Sequence, residues 1–312
     1  MSNSKEKLVK DLVSAIITTY QRENQIIERA LKSVLSQTYE MTEVLLIDDN
    51  REDTEKGQLL SKSIQELLLQ YPSVQYFRTE EGHGAQRARN TGIQKAQGNY
   101  LAFLDDDDEW MPEKISRQVQ ALNENKSAGM CFTRGYRVNE NFTPPYVNDF
   151  QGKDFLPLVT YQRLLRGDCI GTTSQAMICK EVFAECGGFD EKFPARQDYE
   201  MWIRISQKFE IIGVDEPLFR YHIAKGENQI TKSWDRCIIG HTLLYQKYKV
   251  DIDRDRKAKF NVIFYLAYYH RRKCDSMKAL CYYIQSFFVS PYSFYEKGKI
   301  KIEKLKEERK QK

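Results

Sequence analysis

The 312-residue sequence predicts an α/β fold in which a mostly parallel sheet is flanked by helices and followed by a helical C-terminal extension. Two observations predict it. Over the first 135 residues, continuous apolar runs that suit buried strands alternate with segments whose apolar residues recur at helical spacing, which is typical of βαβ units. From about Trp234 onward the pattern is helical alone. We therefore expect one domain over residues 1–233, divided into parts 1–110 and 111–233, and an extension over residues 234–312.

The individual elements follow from these periodicities in chain order. Leu12–Thr18 is a β-branched apolar run that predicts the first strand, and the next helix has Asn24 available as its N-cap. Pro112 suits the first turn of a later helix, because proline lacks an N–H that such a position leaves unpaired. The other predicted elements are strand Glu43–Asp49, helix 63–70, strand 74–77, helix Ala85–Gln97, strands 99–104, 128–133 and 172–179, helices 181–185 and 198–207, and strands 209–214 and 217–223.

Polar residues stand at the ends of three predicted strands: Thr18–Tyr20, Asp48–Asn50 and the run that begins at Asp105. Ligands of parallel sheets bind outside the carboxyl ends of the strands. We therefore expect all three segments to open onto one edge of the sheet.

Composition excludes several classes of protein. With 41% hydrophobic and 29% charged residues, the chain is neither disordered nor collagen-like. Its seven cysteines include no C-x-x-C pair, which argues against a disulfide framework or a zinc site. The first residues lack the apolar core of a signal peptide, and no apolar run has the length of a spanning helix, so we expect a cytoplasmic protein. No nucleic acid partner is expected.

The C-terminal extension is basic and aromatic. Residues 251–312 contain 16 Lys or Arg and 8 Asp or Glu, whereas the rest of the chain has a net charge of −4. Because Phe260–Tyr269 is apolar nearly all round, we expect it to be buried against the preceding domain or against a second subunit in a homodimer. Peripheral contact with the inner face of an anionic membrane is a further hypothesis for the extension.

The run Asp105–Glu109 is the strongest chemical signal. A divalent cation bound between protein and diphosphate needs only one or two carboxylates, which a D-x-D segment at a strand end can supply. Taken alone, the run would be read as a solvated acidic turn. A calcium loop would need glycine where Trp110 stands, and a prenyl-diphosphate motif belongs on a helix rather than after a strand.

Four segments in order make the pattern specific: TTYQRENQIIERALKSVLSQTY, EVLLIDDN, GAQRARNTGIQKAQGNYLAFLDDDDEWMPEKI and GGFDEKFPARQDYEMWIRI. Together they resemble family 2 glycosyltransferases of the GT-A fold, over roughly Val13 to His222. Two departures from the family pattern are Thr18-Thr19-Tyr20-Gln21, where Pro-Thr-Tyr-Asn is frequent, and Gln197, where the family usually has Glu.

The resemblance implies roles for the donor side of the site. Tyr20 would stack on a uracil, Asp48 would accept the base N–H, and Asp105 or Asp106 would bind the ribose. Asp108 and Glu109 would serve as outer groups or as charges at the N-terminus of the next helix. The residues implied to bind the nucleotide are Thr18, Tyr20, Arg22, Asp48, Arg89, Asn90, Asp105 and Asp106. Those implied to bind the metal are Asp107 and His222. An ordinary turn with a packed tyrosine is the alternative for Tyr20 and for Arg22 in particular. The alternatives are a turn-initiating residue for Asp48 and a structural histidine for His222.

The resemblance also implies the acceptor side. Asp198 would deprotonate the acceptor hydroxyl, with Glu200 as its competitor on another helix face. Trp202 shares the face of Asp198 and would form a platform for a sugar, with core packing as the alternative. Gly188 and Asp190 would contact sugar or acceptor.

The implied activity is metal-dependent, inverting transfer of a sugar from a nucleotide-sugar, in the first place a UDP-sugar, to a hydroxyl of a growing surface polysaccharide or lipid-linked glycan, with Mn²⁺ or Mg²⁺. A catalytically inactive sugar-nucleotide-binding or scaffold subunit is the alternative. A nucleotidyltransferase is disfavoured because no Gly-rich basic loop follows the first strand. A dehydrogenase is disfavoured because G-x-G-x-x-G is absent there.

Overall fold

The computed structural model describes residues 9–79, 84–142, 145–149, 155–223 and 233–299. The charged end of the sequence beyond residue 299 lies outside this range. Strands are β1 (Val9–Thr19), β2 (Thr42–Asp48), β3 (Val74–Arg78), β4 (Gly98–Asp105), β5 (Glu109–Trp110), β6 (Ala128–Asn139), β7 (Tyr146–Asp149), β8 (Leu158–Val159), β9 (Ala176–Cys179) and β10 (Glu210–Ile223).

Helices occupy most of the intervals between strands and all of the described C-terminal part. They are α1 (Asn24–Leu35), α2 (Glu55–Leu68), α3 (Ala85–Lys95), α4 (Lys114–Glu124), α5 (Tyr161–Leu165), α6 (Lys180–Cys186), α7 (Gln197–Ser206), α8 (Trp234–Lys247), α9 (Lys249–Arg254), α10 (Arg256–Arg272) and α11 (Ser276–Val289), with a short 3₁₀ helix at Thr173–Gln175. Residues 291–299 are also helical.

The strands described form one sheet in the order β3-β2-β1-β4-β9-β6-β10-β5, with β7 paired to β6 and β8 to β10. The first four strands are parallel, as the alternating periodicities predict. Thr18 lies beside Ile47 on one side and Asp105 on the other, and Thr19 lies beside Asp48. The predicted common edge of the three strand ends is therefore confirmed.

The second half of the sheet is mixed and differs from the sequence prediction. β9 runs antiparallel between β4 and β6, and only 176–179 of the predicted strand 172–179 is extended. The two strands predicted at 209–214 and 217–223 are one strand, β10. At Pro217 the strand does not break; instead, the register of β10 with β6 shifts. An irregular ladder at this point tolerates the N–H that proline lacks.

Several helix starts also differ from prediction. Glu23, not Asn24, is the N-cap of α1, and the Asn24 amide donates instead to the carbonyl and hydroxyl of Ser63, at 3.0 and 2.8 Å. Helix α2 begins eight residues before the predicted 63–70, with the Thr54 hydroxyl accepting from the Gly57 N–H. Helix α4 begins at Lys114, so Pro112 precedes it.

The described residues divide into two compact units. The first is drawn from Met1–Thr160, Cys169–Glu191 and Met201–Lys225, and it contains the sheet. The second is drawn from Tyr161–Asp168, Lys192–Glu200 and Gly226–Lys312 and is helical. Within it α10 packs with α8 and α11, which are helices of the same unit, whereas the sequence predicted burial against the preceding domain or a second subunit; Phe260, Leu266 and Tyr269 are buried. Among the described helices, none combines the length and apolarity needed to cross a bilayer.

A lysine lies inside the first unit. Lys114 is fully buried, with its ammonium 2.6 Å from the Gln118 side-chain oxygen and 4.2 Å from the centre of the Trp110 ring. Burial lowers the pKa of Lys114 to about 7, because no carboxylate among the described residues pairs with it to repay the lost hydration of its charge.

This depressed pKa predicts a pH-dependent stability. The unfolded chain keeps the lysine proton up to its ordinary pKa of 10.5, so between about pH 7 and 10.5 unfolding takes up a proton and stability rises with pH. We expect Lys114→Met to remove this rise, worth up to about 1.4 kcal/mol per pH unit. Urea unfolding at pH 7, 8 and 9 measures it.

Lys126→Met, at an exposed lysine two residues past the end of α4, is the matched control and should keep the wild-type slope. Parallel stability–pH curves for wild type and Lys114→Met would show that Lys114 does not titrate in this window.

Candidate active site

The acid run starts on the last residue of β4 and turns before β5. The Asp108 N–H donates to the Asp105 carbonyl at 3.0 Å, which closes the turn. This places the Asp105, Asp106 and Asp107 carboxylates at the edge where β1 and β4 end. Arginine and threonine side chains from β1, α1, α3 and the intervening turn surround them.

Asp106 is buried and bound from both sides. The Thr19 hydroxyl donates to Oδ2 at 2.7 Å, and Arg22 Nε donates to Oδ1 at 2.9 Å. Burial raises the pKa of Asp106 to about 7, with Arg22 opposing the rise. The sequence interpretation missed Thr19. The sequence signal for Thr19 was the alternation of side chains along β1, because Thr18 and Thr19 must point to opposite faces of the sheet.

Arg22 also reaches Asp107, the residue implied to bind the metal. Its Nη2 donates to Asp107 Oδ2 at 3.0 Å, while Arg29 Nη2 donates to the Asp107 carbonyl at 2.8 Å. The Asp107 side chain stays 20% exposed. Burial nevertheless raises its pKa, with Arg22 acting against the rise. One guanidinium fork therefore bridges two neighbouring carboxylates.

Asp105 is held by the ARN segment of α3. Arg89 is buried and donates to Asp105 Oδ1 at 2.5 Å. Arg87, two residues earlier, is exposed and pairs with Glu191 at 3.5 Å, so only one of the two arginines meets the acid run. The resemblance implied that Asn90 contacts the nucleotide together with Arg89, but its side chain is engaged by the backbone. Its amide exchanges two hydrogen bonds with the backbone of Phe189, at 2.8 and 2.9 Å.

Asp108 and Glu109 do not serve the N-terminus of the next helix. That expectation is wrong because α4 begins five residues later and Asp108 is fully buried. Asp108 Oδ1 accepts from the His222 N–H at 3.2 Å, and Glu109 Oε2 lies 2.7 Å from His222 Nε2. Both acids tie the turn to β10. Burial raises the pKa of Asp108 well above its usual range, whereas the bond to His222 lowers that of Glu109.

His222 lies on β10 against the acid run, and its ring nitrogens are not available to the metal that the resemblance implied. Its Nδ1 lies 2.7 Å from Glu140 Oε1 and its Nε2 is taken by Glu109, so both ring nitrogens are engaged by carboxylates. The role as a metal ligand is replaced by the structural alternative. No group of three or more His, Cys, Asp or Glu in the described part of the chain is arranged to hold a metal. With His222 set aside, the carboxylates of the acid run fit an ion that takes one or two carboxylates and completes its shell with phosphate and water.

Asp48 is fully buried, and its hydrogen bonds are made within the protein. Oδ1 accepts from the backbone and side-chain nitrogens of Asn50, and Oδ2 accepts from the hydroxyls of Ser61 and Tyr76, at 2.5 to 2.8 Å. The expectation that Asp48 accepts a base N–H is corrected, because its lone pairs are already used. Burial, together with the bond to Asp48, raises the pKa of Tyr76 to about 12.

Tyr20 keeps an accessible ring. It is 48% exposed, and its hydroxyl accepts from the Gln21 side chain at 3.0 Å. Gln21 has a left-handed φ of 49°, and its N–H donates to Asn50 Oδ1 at 2.8 Å, which fixes the turn after β1. Thr18 is half-buried in the same turn region. Base stacking on Tyr20 and nucleotide contact by Thr18 stay predictions.

The GGF segment and Trp202 have structural roles. A Cβ at Gly188 would lie 2.4 Å from Asn90 Oδ1, so glycine permits the close approach of these two segments. Trp202 is fully buried, and its indole N–H donates to the Gly171 carbonyl at 3.2 Å. It exposes no ring face to a sugar, which corrects the platform interpretation in favour of core packing. Asp190 is half-buried, and contact of Gly188 and Asp190 with sugar or acceptor stays a prediction.

Asp198 lies in the first turn of α7, within the second unit. It is half-buried, and its Oδ1 accepts from the Tyr199 N–H at 2.7 Å. The preceding Arg196 has a left-handed φ of 66°, an uncommon conformation for a residue with a Cβ. Glu200 is fully buried and bound by Tyr248 and Lys247, at 2.9 and 2.8 Å, so it is committed to packing. The base assignment of Asp198 stays a prediction.

A family model described as Glycosyl transferase family 2 matches residues 14–187. The putative colanic acid biosynthesis glycosyl transferase WcaA of Escherichia coli is 30% identical over 250 residues, covering 79% of this chain and 84% of its own. The UDP-Glc:alpha-D-GlcNAc-diphosphoundecaprenol beta-1,3-glucosyltransferase WfgD of E. coli is 30% identical over 208 residues, covering 65% and 73%.

Two solved structures resemble the fold. TarS of S. aureus in complex with UDP-GlcNAc has a TM-score of 0.57 at 14% identity, covering 92% of both chains. The mannosyltransferase PcManGT of Pyrobaculum calidifontis in complex with GDP-Man and Mn²⁺ has a TM-score of 0.58 at 16% identity, covering 88% of this chain and 74% of its own. At these identities the likeness concerns the fold alone.

Proposed function

The chain belongs to glycosyltransferase family 2, and we propose that it transfers a sugar from a UDP-sugar to a hydroxyl of a growing surface polysaccharide or lipid-linked glycan, with inversion. Its fold is the GT-A fold expected from the sequence. The observation that carries the proposal is the arrangement of side chains at the edge of the sheet where β1 and β4 end. There Thr19, Arg22 and Arg89 hold the carboxylates of Asp105–Asp107 in fixed positions.

The donor and acceptor classes rest on the relatives. WfgD is named for UDP-glucose and a diphosphoundecaprenol acceptor, and WcaA for colanic acid. These names support a UDP-sugar over other donors and a polysaccharide or lipid-linked acceptor. The exposed ring of Tyr20 beside the site suits a base that stacks on an aromatic face.

We assign the metal ligand to Asp107, with Asp105 as the second carboxylate two residues away. A bound Mn²⁺ or Mg²⁺ would stabilise the negative charge that develops on the departing nucleoside diphosphate. Arg89 orients Asp105, while Arg22 supplies a positive charge beside Asp106 and Asp107 that would also attract phosphate. His222 is left out of the ligand set because both its ring nitrogens bind carboxylates.

Asp198 is the proposed general base. Inversion by a single displacement needs one carboxylate that removes the proton of the acceptor hydroxyl as the new bond forms. Asp198 is half-buried at a helix start, whereas Glu200 is engaged by a lysine and a tyrosine. The choice between the two acids rests on exposure, because Glu200 is fully buried and Asp198 is not.

Donor hydrolysis tests the function without knowledge of the acceptor. We expect the protein with Mn²⁺ to release UDP slowly from at least one of UDP-Glc, UDP-Gal, UDP-GlcNAc and UDP-GalNAc, and to release no GDP from GDP-Man. Release should stop when EDTA removes the ion. A coupled assay for free nucleoside diphosphate measures it.

The outcomes separate the alternatives. Release from GDP-Man alone would contradict the UDP assignment while leaving the enzyme class intact. UDP binding without release from any donor would contradict turnover and favour the inactive binding subunit.

A further inference from the structure

Helix α11 presents an apolar face that the rest of the described chain does not cover. Its exposed side chains recur three to four residues apart, and Met277 and Phe288 are 78% and 76% exposed. The helical segment 291–299 adds two exposed tyrosines. We call this set the α11 face, and its members are Met277, Leu280, Ile284, Phe287, Phe288, Tyr292 and Tyr295.

The interior of the second unit is filled by other residues. On α11 only the small residues Ala279 and Ser286 are buried, whereas α10 buries Phe260, Ile263 and Leu266 among others. Toward α10 the helix also turns the half-buried rings of Tyr282 and Tyr283, which pack on His270 and Phe264, while its other large apolar side chains stay exposed. A contiguous exposed patch of this kind marks an interaction surface rather than scattered surface residues.

Positive charge lies at both ends of the α11 face. Arg271, Arg272 and Lys273 are exposed before the helix, although Lys273 is paired with Asp235 at 2.5 Å, and Lys299 is exposed after it. Lys278 and Lys297 add two more cations, while the only acidic side chains over residues 270–299 are Asp275 and Glu296. Residues 300–312 carry six basic and three acidic residues in the sequence.

We propose that the α11 face docks on an anionic lipid bilayer surface. Its apolar side chains would enter the boundary between headgroups and acyl chains, and the flanking lysines and arginines would contact acidic headgroups. The tyrosines suit the same boundary because each has an apolar ring and a polar tip.

Charge argues against a second copy as the occupant. A two-fold dimer places the same patch on both sides of the interface. Because cations flank both ends of the α11 face, parallel and antiparallel pairing both bring like charges together. An anionic bilayer offers the opposite charge instead.

Vesicle sedimentation tests the proposal on the full chain. We expect the protein to pellet with vesicles of equal parts phosphatidylglycerol and phosphatidylcholine at low salt, and to stay in solution with phosphatidylcholine alone. The double variant Leu280→Ser/Phe288→Ser should lower the partition coefficient about tenfold or more. Leu69→Ser, at an equally exposed leucine in the first unit, is the matched control and should partition like wild type.

Three results would overturn the proposal: no pelleting with anionic vesicles at low salt, equal partitioning of wild type and double variant, or equal pelleting with both lipid compositions. Sedimentation equilibrium that shows a dimer abolished by the double substitution, without vesicle binding, would assign the face to a second copy. The assay measures partitioning and not transfer, so its outcome is independent of donor hydrolysis.

Discussion

Asp107→Asn is expected to abolish transfer and metal-dependent donor binding. The substitution keeps the size of the side chain and removes the charge that a divalent ion needs. We expect donor hydrolysis to fall about 10³-fold, equivalent to about 4 kcal/mol of transition-state stabilisation. Titration calorimetry should show UDP binding enhanced by Mn²⁺ in wild type and not in the variant.

Folding of the variant should be unimpaired, because burial raises the pKa of Asp107 and the neutral amide avoids that desolvation. UDP with Mn²⁺ should raise the melting temperature of wild type and leave that of the variant unchanged. Asp215→Asn, at an exposed carboxylate paired with Arg134 at 2.6 Å, is the control and should behave like wild type. Undiminished Mn²⁺-dependent UDP binding in Asp107→Asn would remove Asp107 from the metal site.

Asp198→Asn is expected to lower kcat for transfer by about 10³- to 10⁴-fold while donor affinity stays unchanged. An amide has no basic oxygen to take the acceptor proton, but it preserves the hydrogen bond from the Tyr199 N–H. Steady-state transfer to an acceptor, combined with calorimetric UDP affinity, separates the two effects.

Asp235→Asn is the matched control, since Asp235 is also an aspartate in the first turn of a helix of the second unit. It is exposed and paired with Lys273 at 2.5 Å, and its replacement should leave kcat within about twofold. Transfer by Asp198→Asn at the wild-type rate would refute the base assignment. Transfer lost together with UDP affinity would indicate a positioning role instead.

Periodicity predicted the parallel half of the sheet well, because β1, β2 and β4 contain continuous apolar runs that are buried on both faces, although β3 is only half-buried. β10 was harder to predict from the sequence. Pro217 usually argues for a strand end, and only the pairing with β6 reveals that the strand continues through a register shift. The helix α2 start was missed because its first turns are exposed and polar.

At the site, sequence order located the acids but not their partners. Asp48 stands at a strand end as predicted, yet Ser61 and Tyr76, from α2 and β3, take up its oxygen atoms. Asp108 and His222 are 114 residues apart and share a hydrogen bond that no local pattern encodes. Local spacing predicts which face a side chain occupies, whereas the tertiary fold decides whether a ligand can still reach it.

The arginines around the acid run bear on how the chain reaches its native state. Arg22 pairs with Asp106 and Asp107, and Arg89 pairs with Asp105. The protein itself therefore places two positive charges against the repulsion of these three adjacent carboxylates. A newly synthesised chain can complete this edge before it meets a nucleotide, and its folding yield should not depend on the supply of donor or divalent ion in the cell.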